Sequence, residues 1–401
     1  MRLSHQIDLG YCTNIHRGET WAETFEALRS HTDEVRKRVC PNDPYGIGLR
    51  LSAAAAQELS GDQGHVSEFR GWLEDCQSYV FTINGFPYGA FHGERVKEQV
   101  YAPDWTTRDR LDYTNLLFDL VAELAPEGQS VSVSTLPGSF KEFIDSDAKE
   151  EQVSAMIRNL LACSDHIERL REKTGRDIHL GLEPEPLGFF ETSGETVLFF
   201  EKLLDAADPG AREALLRNLG VNYDTCHLAV EYEEPDAALG AIRDAGIRLS
   251  KIHLSSALTL VPQAEAIEKL KKFQEGVYLH QVIVRDGEKI SQRFRDLPEA
   301  LAWEAANRGD LGDEWRVHFH IPLHAKPDRP FGDTRSHLEG VLRALASSAE
   351  SSEGIFCHHF EMETYTWEVL PESMRSQNVV DQLVAEYGWC LREFENAGFV
   401  V

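Results

Sequence analysis

The sequence is short of positive charge and has no basic block large enough to offset its acidic residues. Its 401 residues include 40 lysines and arginines against 67 aspartates and glutamates, so the formal net charge at pH 7 is −27. Nucleic-acid-binding proteins neutralise phosphates with clustered lysine and arginine side chains. The sequence therefore argues against a nucleic-acid partner, and its negative charge also argues against binding to an anionic membrane surface.

Long apolar runs and paired cysteines are also missing. No run approaches the roughly 18 to 20 apolar residues that a membrane-spanning helix needs. The first residues, MRLSHQIDLGYCTN, have no apolar signal-peptide core. The seven cysteines are scattered and show no Cys-x-x-Cys spacing, which is typical of a reducing compartment and not of a disulfide scaffold. We expect a cytoplasmic protein without direct membrane insertion.

Short apolar runs alternate with longer amphipathic stretches along nearly the whole chain. Eight runs rich in Val, Ile, Leu, Tyr and Phe have the character of parallel strands buried on both faces: residues 6–14, 45–52, 78–85, 130–138, 177–185, 219–227, 248–256 and 354–364. Between them apolar residues recur every three or four positions, which indicates helices packed on a sheet. Eight strand–helix repeats predict an α/β fold, a (β/α)8 TIM barrel. A doubly wound open sheet is the alternative, but no G-x-G-x-x-G motif supports it.

Two connections are too long to be simple turns. Residues 86–108 follow the third predicted strand, and residues from about 257 to 336 follow the seventh. The second connection contains a helical pattern, AEAIEKLKKFQ, and a hairpin pattern in which Asp286-Gly287 suits the tight turn. Long loops on a barrel usually build or cover an active site. We therefore expect a single domain over residues 1–401 with this insertion over the C-terminal face of the barrel, and a decorative subdomain is the alternative.

The last four predicted strands end in side chains that can bind a metal ion. These side chains are Glu183 and Glu185, Asp224 and His227, His253, and Glu361 and Glu363. Barrel enzymes place catalytic groups at the C-terminal ends of strands, and carboxylates buried together need a compensating cation. Two glutamates, an aspartate and a histidine form a mixed donor set that suits Mn²⁺, Zn²⁺, Mg²⁺ or Co²⁺. Each residue alone would fit a polar rim, but four successive strand ends predict a metal site.

The motifs at these strand ends resemble those of a known superfamily. LEPEP, DTCH, KIHLS and ETY occur in the order found in xylose isomerase-like barrels, which include sugar isomerases, ketose 3-epimerases, hydroxypyruvate isomerase and endonuclease IV. The resemblance implies the metal ligands Glu183, Asp224, His253 and Glu363. Glu363 is preferred to Glu361 because the family glutamate stands at the strand terminus, often before Thr or Ser. One divalent metal ion is implied, with Mn²⁺ or Zn²⁺ favoured and Mg²⁺, Co²⁺ or Fe²⁺ as alternatives.

A narrower resemblance involves the N-terminal half. GYCTNIHRGETW, the segment from FTING to RLDYT, and EMETYTWEVLP are similar to the EboE barrel family, which is encoded in bacterial metabolite-traffic operons. This similarity covers nearly the full length and implies partner proteins from the same operon. A homodimer is also compatible with it.

The chain departs from the endonuclease IV pattern. The second and third strands end in LRLS and FTING, without a histidine or carboxylate, and His318-x-His320 occupies the place of an Asp-x-His pair. The departure predicts one metal ion, or two, in place of a cluster of three.

By analogy with the isomerases and epimerases, the metal ion would bind adjacent hydroxyl and carbonyl oxygens of a small polyhydroxylated or phosphorylated substrate. Glu183 and Glu363 would remove and return the proton. The expected substrate-binding residues are His227, His318, His320, Glu185, His16, His92, Arg50 and Glu361.

A non-catalytic, metal-containing carrier of metabolites is the alternative function, and metal-dependent phosphodiester hydrolysis is the third. A large aromatic pocket over the metal ion would favour the carrier or a bulky substrate that is not a sugar. Tyr88, Trp105 and Trp367 could line such a pocket, although packing is the expected role of aromatic residues at a barrel rim.

Overall fold

Eight parallel strands form the centre of the molecule. The computed structural model describes residues 1–93, 95–307, 309, 311–349, 354–371, 374–375 and 378–401. The barrel strands are β1 (Asp8–Tyr11), β2 (Tyr45–Arg50), β3 (Ser78–Asn84), β4 (Val131–Thr135), β5 (Ile178–Leu182), β6 (Leu219–Asp224), β7 (Arg248–Leu254) and β13 (His359–Met362). Their order is β1-β13-β7-β6-β5-β4-β3-β2, and a parallel bridge between Cys12 and Gly48 connects the two ends of the sheet. The predicted TIM barrel is confirmed, and each of the eight predicted runs contains a barrel strand.

Helices connect these strands, most of them on the outside of the barrel and two of them in the insertion after β7. They are α1 (Trp21–Ala27), α2 (Asp33–Val39), α3 (Ala53–Gly61), α4 (Gln63–Asp75), α5 (Arg108–Leu124), α6 (Lys149–Thr174), α7 (Ser193–Ala206), α8 (Arg212–Asn218), α9 (Thr225–Val230), α10 (Pro235–Asp244), α11 (Ala264–Leu270), α12 (Leu297–Ala306), α13 (Arg335–Ala349) and α14 (Val379–Ala397). Their ends follow local sequence signals. The Thr20 side chain accepts a hydrogen bond from the Glu23 backbone N–H at the start of α1, and Gly175 ends α6 in the left-handed conformation.

The insertion after β7 folds into a small antiparallel sheet. Its strands are β8 (Leu258–Leu260), β9 (Val282–Asp286), β10 (Lys289–Phe294), β11 (Glu314–Val317) and β12 (Phe331–Asp333), in the order β10-β9-β11-β8-β12. The predicted hairpin is β9–β10, in which Gly287 has a φ of 59°, and the predicted helix is α11. The sequence analysis did not identify β8, β11 and β12, because strands of three or four residues show too little periodicity. Trp315 and Leu297 are in a separate apolar core under this sheet.

All seven cysteines lie within the described residues, where each is buried and carries a free thiol. In the described part of the chain, no helix is long and apolar enough to cross a membrane.

Candidate metal centre

The four predicted metal ligands converge at one end of the barrel. Glu183 directly follows β5, Asp224 ends β6, His253 lies near the end of β7, and Glu363 directly follows β13. These four strands are neighbours and run parallel, so their C-terminal ends meet at the same edge. One ligand atom from each residue lies within 4.8 Å of the others, and none of the four residues is more than 5% exposed.

The donor set has more negative charge than its histidine can balance. Nδ1 of His253 lies 3.1 Å from Oε1 of Glu183, 3.1 Å from Oε2 of Glu363 and 3.7 Å from Oδ2 of Asp224. Burial lowers the pKa of His253, but the facing carboxylates outweigh it and raise that pKa well above its usual value. Oδ2 of Asp224 is buried without a hydrogen-bond partner. Because a buried, unpartnered carboxylate oxygen is costly, these residues fit a divalent cation.

The DTCH motif explains how Asp224 is held. Asp224 is the N-cap of α9, and its Oδ1 accepts hydrogen bonds from the backbone N–H groups of Cys226 at 2.7 Å and His227 at 3.0 Å. The hydroxyl of Ser255 donates a third hydrogen bond to the same oxygen at 2.6 Å. Oδ1 is therefore occupied by hydrogen bonds within the protein, and Oδ2 remains available to a cation.

Three asparagines that the sequence analysis did not single out hold the two glutamates. Asn14 and Asn84 both donate to Oε1 of Glu363, at 2.9 and 3.1 Å. Asn222 donates to Oε2 of Glu183 at 2.8 Å. In each glutamate one oxygen is fixed by amide donors, and the other faces His253. The sequence did offer one signal for such a residue, because Asn84 stands at the end of β3. The sequence analysis noted at that position only that a histidine or carboxylate is missing.

Glu361 lies deeper in the barrel than the four ligands. Its Oε2 is 3.2 Å from Nε2 of His253 and forms an ion pair with Nζ of Lys251, which also donates to the Ser134 hydroxyl at 2.9 Å. Burial acts to raise the pKa of Glu361, but the charges and hydrogen bonds of Lys251 and His253 together outweigh burial and lower that pKa to about 2. Glu361 does not line the cavity at the centre. Glu363 therefore groups with the other three predicted ligands, whereas Glu361 lies behind His253 and outside the cavity, where the predicted substrate contact does not fit.

Three histidine side chains meet next to the four predicted metal ligands. Each donates from Nδ1 to an oxygen: His227 to the Pro184 carbonyl at 3.2 Å, His318 to Oε1 of Gln281 at 2.7 Å, and His320 to the Glu363 carbonyl at 2.8 Å. We assign the protons to Nδ1 from these oxygen acceptors. Gln281 can accept because its own amide donates to the Pro186 carbonyl at 3.0 Å.

The Nε2 atoms of these histidines face one another. Nε2 of His320 lies 3.1 Å from that of His318 and 3.3 Å from that of His227. Burial, followed by the charges of His227 and His320, lowers the pKa of His318 well below its usual value, which favours the neutral ring. Two sets of residues that share these rings, Asp224–His227–His320 and Glu185–His227–His318, each bring three ligand atoms within 4.8 Å of one another, which suits one cation.

A cavity opens directly over the centre and has two different sides. It contains about 550 Å³ of space between atoms, part of it open to solvent. Its polar side includes Glu183, Glu185, His227, His318 and Glu363. Its apolar side is formed by Phe86, Phe91, Val96, Val100, Tyr101, Tyr278, Leu279 and Tyr365. Of the predicted substrate contacts, Glu185, His227 and His318 therefore line the cavity, while His320 lies behind His318.

The pKa of Glu185 is raised well above the usual value for a glutamate. Burial is the main cause, followed by the charge of Glu183, and a hydrogen bond with the Tyr101 hydroxyl opposes them. Oε1 of Glu185 has no hydrogen-bond partner.

The remaining predicted contacts lie outside this cavity. The guanidinium of Arg50 donates to the carbonyls of Gly18 and Gly89 and pairs with Glu19, so it is not directed at the substrate space. His16 is hydrogen-bonded to the Tyr11 hydroxyl at 2.7 Å.

His92 stands behind the cavity wall. It donates from Nε2 to the Asn14 carbonyl at 2.5 Å and is bonded through Nδ1 to the Tyr278 hydroxyl at 2.7 Å. Asn14 and Tyr278 line the cavity, so His92 braces two lining residues without facing the substrate space.

Comparisons with known proteins bear on the fold. No protein-family model matches the chain, and no curated protein matches it in sequence. Among solved structures, a xylose isomerase-like TIM barrel protein from Mycobacterium smegmatis in complex with magnesium is similar at 12% identity, over 99% of both chains, with a TM-score of 0.51. A D-tagatose 3-epimerase-like protein matches at 11% identity over 98% of both chains, with a TM-score of 0.49. The chain thus has the fold of the xylose isomerase-like TIM barrels.

Proposed function

We propose that this protein is a metal-dependent isomerase or epimerase of a small hydroxy-carbonyl substrate, which removes a proton from a carbon next to the carbonyl and returns it to the neighbouring carbon or to the opposite face of the same carbon. The observation that carries the proposal is the convergence of Glu183, Asp224, His253 and Glu363 at the C-terminal ends of four neighbouring strands. A divalent cation held there would polarise adjacent hydroxyl and carbonyl oxygens and stabilise the charge left when a C–H proton departs. Mn²⁺ or Zn²⁺ is favoured by the mixed donor set, with Mg²⁺, Co²⁺ and Fe²⁺ as alternatives.

The two glutamates are placed to act as base and acid. Glu183 follows β5 and Glu363 follows β13, and two strands, β6 and β7, separate them in the barrel. They therefore approach a substrate in the cavity from different sides, as removal and return of a proton on opposite faces requires. Asn222 holds one oxygen of Glu183, and Asn14 and Asn84 hold one oxygen of Glu363, so each carboxylate is fixed in orientation. Pre-fixed orientation is what an efficient proton transfer needs.

Asp224, His227 and His320 fit a second divalent cation, since one ligand atom from each lies within 4.8 Å of the others. Nε2 of His320 lies 3.3 Å from that of His227 and 3.1 Å from that of His318, next to the four-residue set. Asp224 connects the two groups, since its Oδ2 lies 3.7 Å from Nδ1 of His253 and 3.9 Å from Nε2 of His227. Substrate oxygens near His227 and His318 would then be close to both cation positions.

A non-catalytic carrier is the second candidate, because the cavity has an aromatic side that a small sugar does not require. The sequence resemblance to the EboE family supports a role in metabolite traffic, with operon-encoded partner proteins and a homodimer as further expectations. Phosphodiester hydrolysis has less support, since Arg50 and Asn84 end β2 and β3 where a third metal ion would need ligands.

Elemental analysis of the purified protein tests the proposal. The wild type is compared with Glu183→Gln/Asp224→Asn and with Glu201→Gln/Asp205→Asn, a control that makes the same charge change on the exposed side of α7. We expect tightly bound metal in the wild type and the control, and loss of the metal ion in the first variant. Metal-dependent exchange of solvent deuterium into an α-hydroxy ketone would then separate the enzyme from the carrier. Absence of metal from the wild type after reconstitution with Mn²⁺ or Zn²⁺ would contradict both the enzyme and the metal-containing carrier.

A further inference from the structure

We infer that the substrate is an uncharged molecule with adjacent hydroxyl and carbonyl oxygens at one end and a flat apolar group at the other. This inference rests on the proposed function, because the oxygens are assigned to the metal-facing side of the cavity. It concerns the opposite side, whose lining indicates what the rest of the substrate is made of.

Three aromatic rings form a continuous wall next to the proposed metal ligands. The ring centroids of Phe91 and Tyr278 are 5.3 Å apart, those of Phe91 and Tyr365 are 5.1 Å apart, and those of Tyr278 and Tyr365 are 5.1 Å apart. Tyr365 stands two residues after Glu363, so the wall begins beside a metal ligand. A second pair, Phe86 and Tyr101, also lines the cavity with centroids 5.5 Å apart. These rings pack against one another, and an aromatic lining of this kind favours an apolar, planar ligand group.

Two polar side chains on this side of the cavity already have partners within the protein. The Tyr278 hydroxyl is bonded to His92, and Gln281 uses its amide on the Pro186 carbonyl and its oxygen on His318. A polyhydroxylated chain placed here would lose its hydrogen bonds to water and could not replace them at Tyr278 or Gln281 without displacing these partners. Because unpaired buried hydroxyls are costly, the wall disfavours a sugar tail.

The cavity also lacks a cation for a phosphate group. Among its described lining residues, Lys97 is the only lysine or arginine, and its Nζ pairs with Asp296 at 2.5 Å. Glu183, Glu185 and Glu363 line the same space. Phosphate recognition uses free arginine or lysine donors, and Arg50, the residue expected to supply one, is engaged elsewhere. A phosphorylated substrate is therefore disfavoured relative to an uncharged one.

Three matched α-hydroxy ketones test this inference. Hydroxyacetone, 2-hydroxyacetophenone and dihydroxyacetone phosphate share the hydroxy-carbonyl group and differ in having a methyl, a phenyl or a phosphate-bearing group beyond it. Each is titrated by calorimetry into protein reconstituted with Zn²⁺ and freed of excess metal, after the bound zinc has been measured. We expect 2-hydroxyacetophenone to bind at least about tenfold more tightly than hydroxyacetone, because its ring is transferred from water to the apolar wall. Dihydroxyacetone phosphate is expected to bind no better than hydroxyacetone.

Variants locate the preference. Phe91→Ala should abolish most of the advantage of 2-hydroxyacetophenone over hydroxyacetone, and Phe91→Leu should retain part of it. Phe189→Ala is the matched control, since Phe189 is a partly buried aromatic outside the cavity. If zinc is bound but the phenyl ketone shows no advantage, or if the phosphate binds most tightly, the inference fails while the metal centre stands. If no zinc is bound, the proposed function is wrong, and the inference, which rests on it, is wrong as well.

Discussion

Glu361 and His253 are bonded on the side of the imidazole that faces away from the centre. Oε2 of Glu361 lies 3.2 Å from Nε2 of His253, while Nδ1 of His253 faces Glu183 and Glu363, each at 3.1 Å. A hydrogen bond from Nε2–H to Glu361 leaves the Nδ1 lone pair for a metal ion. Carboxylates in this position typically fix the tautomer of a ligating histidine. Lys251 keeps Glu361 charged, so the two residues under the site orient one of its ligands.

Removing the Glu361 charge should weaken metal binding without removing a ligand. For Glu361→Gln we expect the metal dissociation constant to rise by about 10- to 100-fold, because the tautomer of His253 is no longer fixed. Competition with a chelating dye measures the change. The Lys251→Met/Glu361→Gln double variant should be more stable to heat than Lys251→Met alone, since the single variant leaves a buried carboxylate unpaired at a cost of about 3–5 kcal/mol. Equal metal affinity in wild type and Glu361→Gln would show that Glu361 has no positioning role.

Gly48 provides an independent test of the packing around Glu361. A Cβ atom at Gly48 would lie 1.7 Å from Oε1 of Glu361, so Gly48→Ala must displace that buried side chain. We expect Gly48→Ala to lower the free energy of unfolding by about 1–3 kcal/mol or more through overpacking, and to weaken metal binding as well. Gly240→Ala is the control, because no atom lies within 4 Å of its added Cβ, and alanine should stabilise α10 by about 0.5–1 kcal/mol. Chemical denaturation of both variants decides the point, and a Gly48→Ala protein as stable as wild type would contradict the packing described.

Metal stoichiometry should report on the three histidines. His318→Ala/His320→Ala removes two of the three converging Nε2 atoms and none of the four other ligands. We expect the wild type to bind two divalent ions per chain at saturating Zn²⁺ and the variant to bind one, with the remaining ion still lost in Glu183→Gln/Asp224→Asn. His65→Ala/His166→Ala, in α4 and α6, is a control that removes two histidines distant from the site. A wild type that binds a single ion even at saturation would exclude the second position.

Glu386 should make stability dependent on pH. This carboxyl is fully buried, and burial raises its pKa from 4.5 to about 8, although hydrogen bonds from the Thr364 hydroxyl at 2.8 Å and the Leu323 backbone N–H at 3.2 Å oppose the rise. Between these two pH values the folded state binds one more proton than the unfolded state. Stability from this group is therefore present below about pH 4.5 and is lost as the pH rises toward 8.

Glu386→Gln should remove that loss. Its amide can donate to Thr364 and accept from Leu323, so near pH 8 the variant should be more stable than wild type by about 2–4 kcal/mol. Denaturation followed from pH 5 to pH 9 tests this, with the exposed Glu201→Gln as control. Parallel pH profiles for wild type and Glu386→Gln would show that Glu386 is ionised in the folded protein throughout.

The sequence by itself determined the barrel and predicted which side chains meet at its C-terminal edge. Eight apolar runs with strand character were sufficient for the fold, because each run is a local feature of a few residues. The meeting of Glu183, Asp224, His253 and Glu363 followed from the same locality, since parallel strands bring their C-terminal ends to one edge whatever lies between them. The hairpin of the insertion could also be predicted, because the Asp286-Gly287 motif is a local signal for a tight turn.

Only the tertiary structure decided what surrounds those ligands. Asn14 and Asn84 reach Glu363 across 349 and 279 residues of sequence, and no local pattern marks an asparagine as the partner of a distant carboxylate. Arg50 was expected at the substrate and is engaged with Glu19, because a strand-end arginine follows whichever acid the neighbouring loop supplies. The aromatic wall joins rings from three segments that are far apart in sequence, since Phe91 follows β3, Tyr278 lies in the insertion after β7 and Tyr365 follows β13. Such contacts depend on closure of the barrel and on the path of its insertions, which periodicity along the chain does not encode.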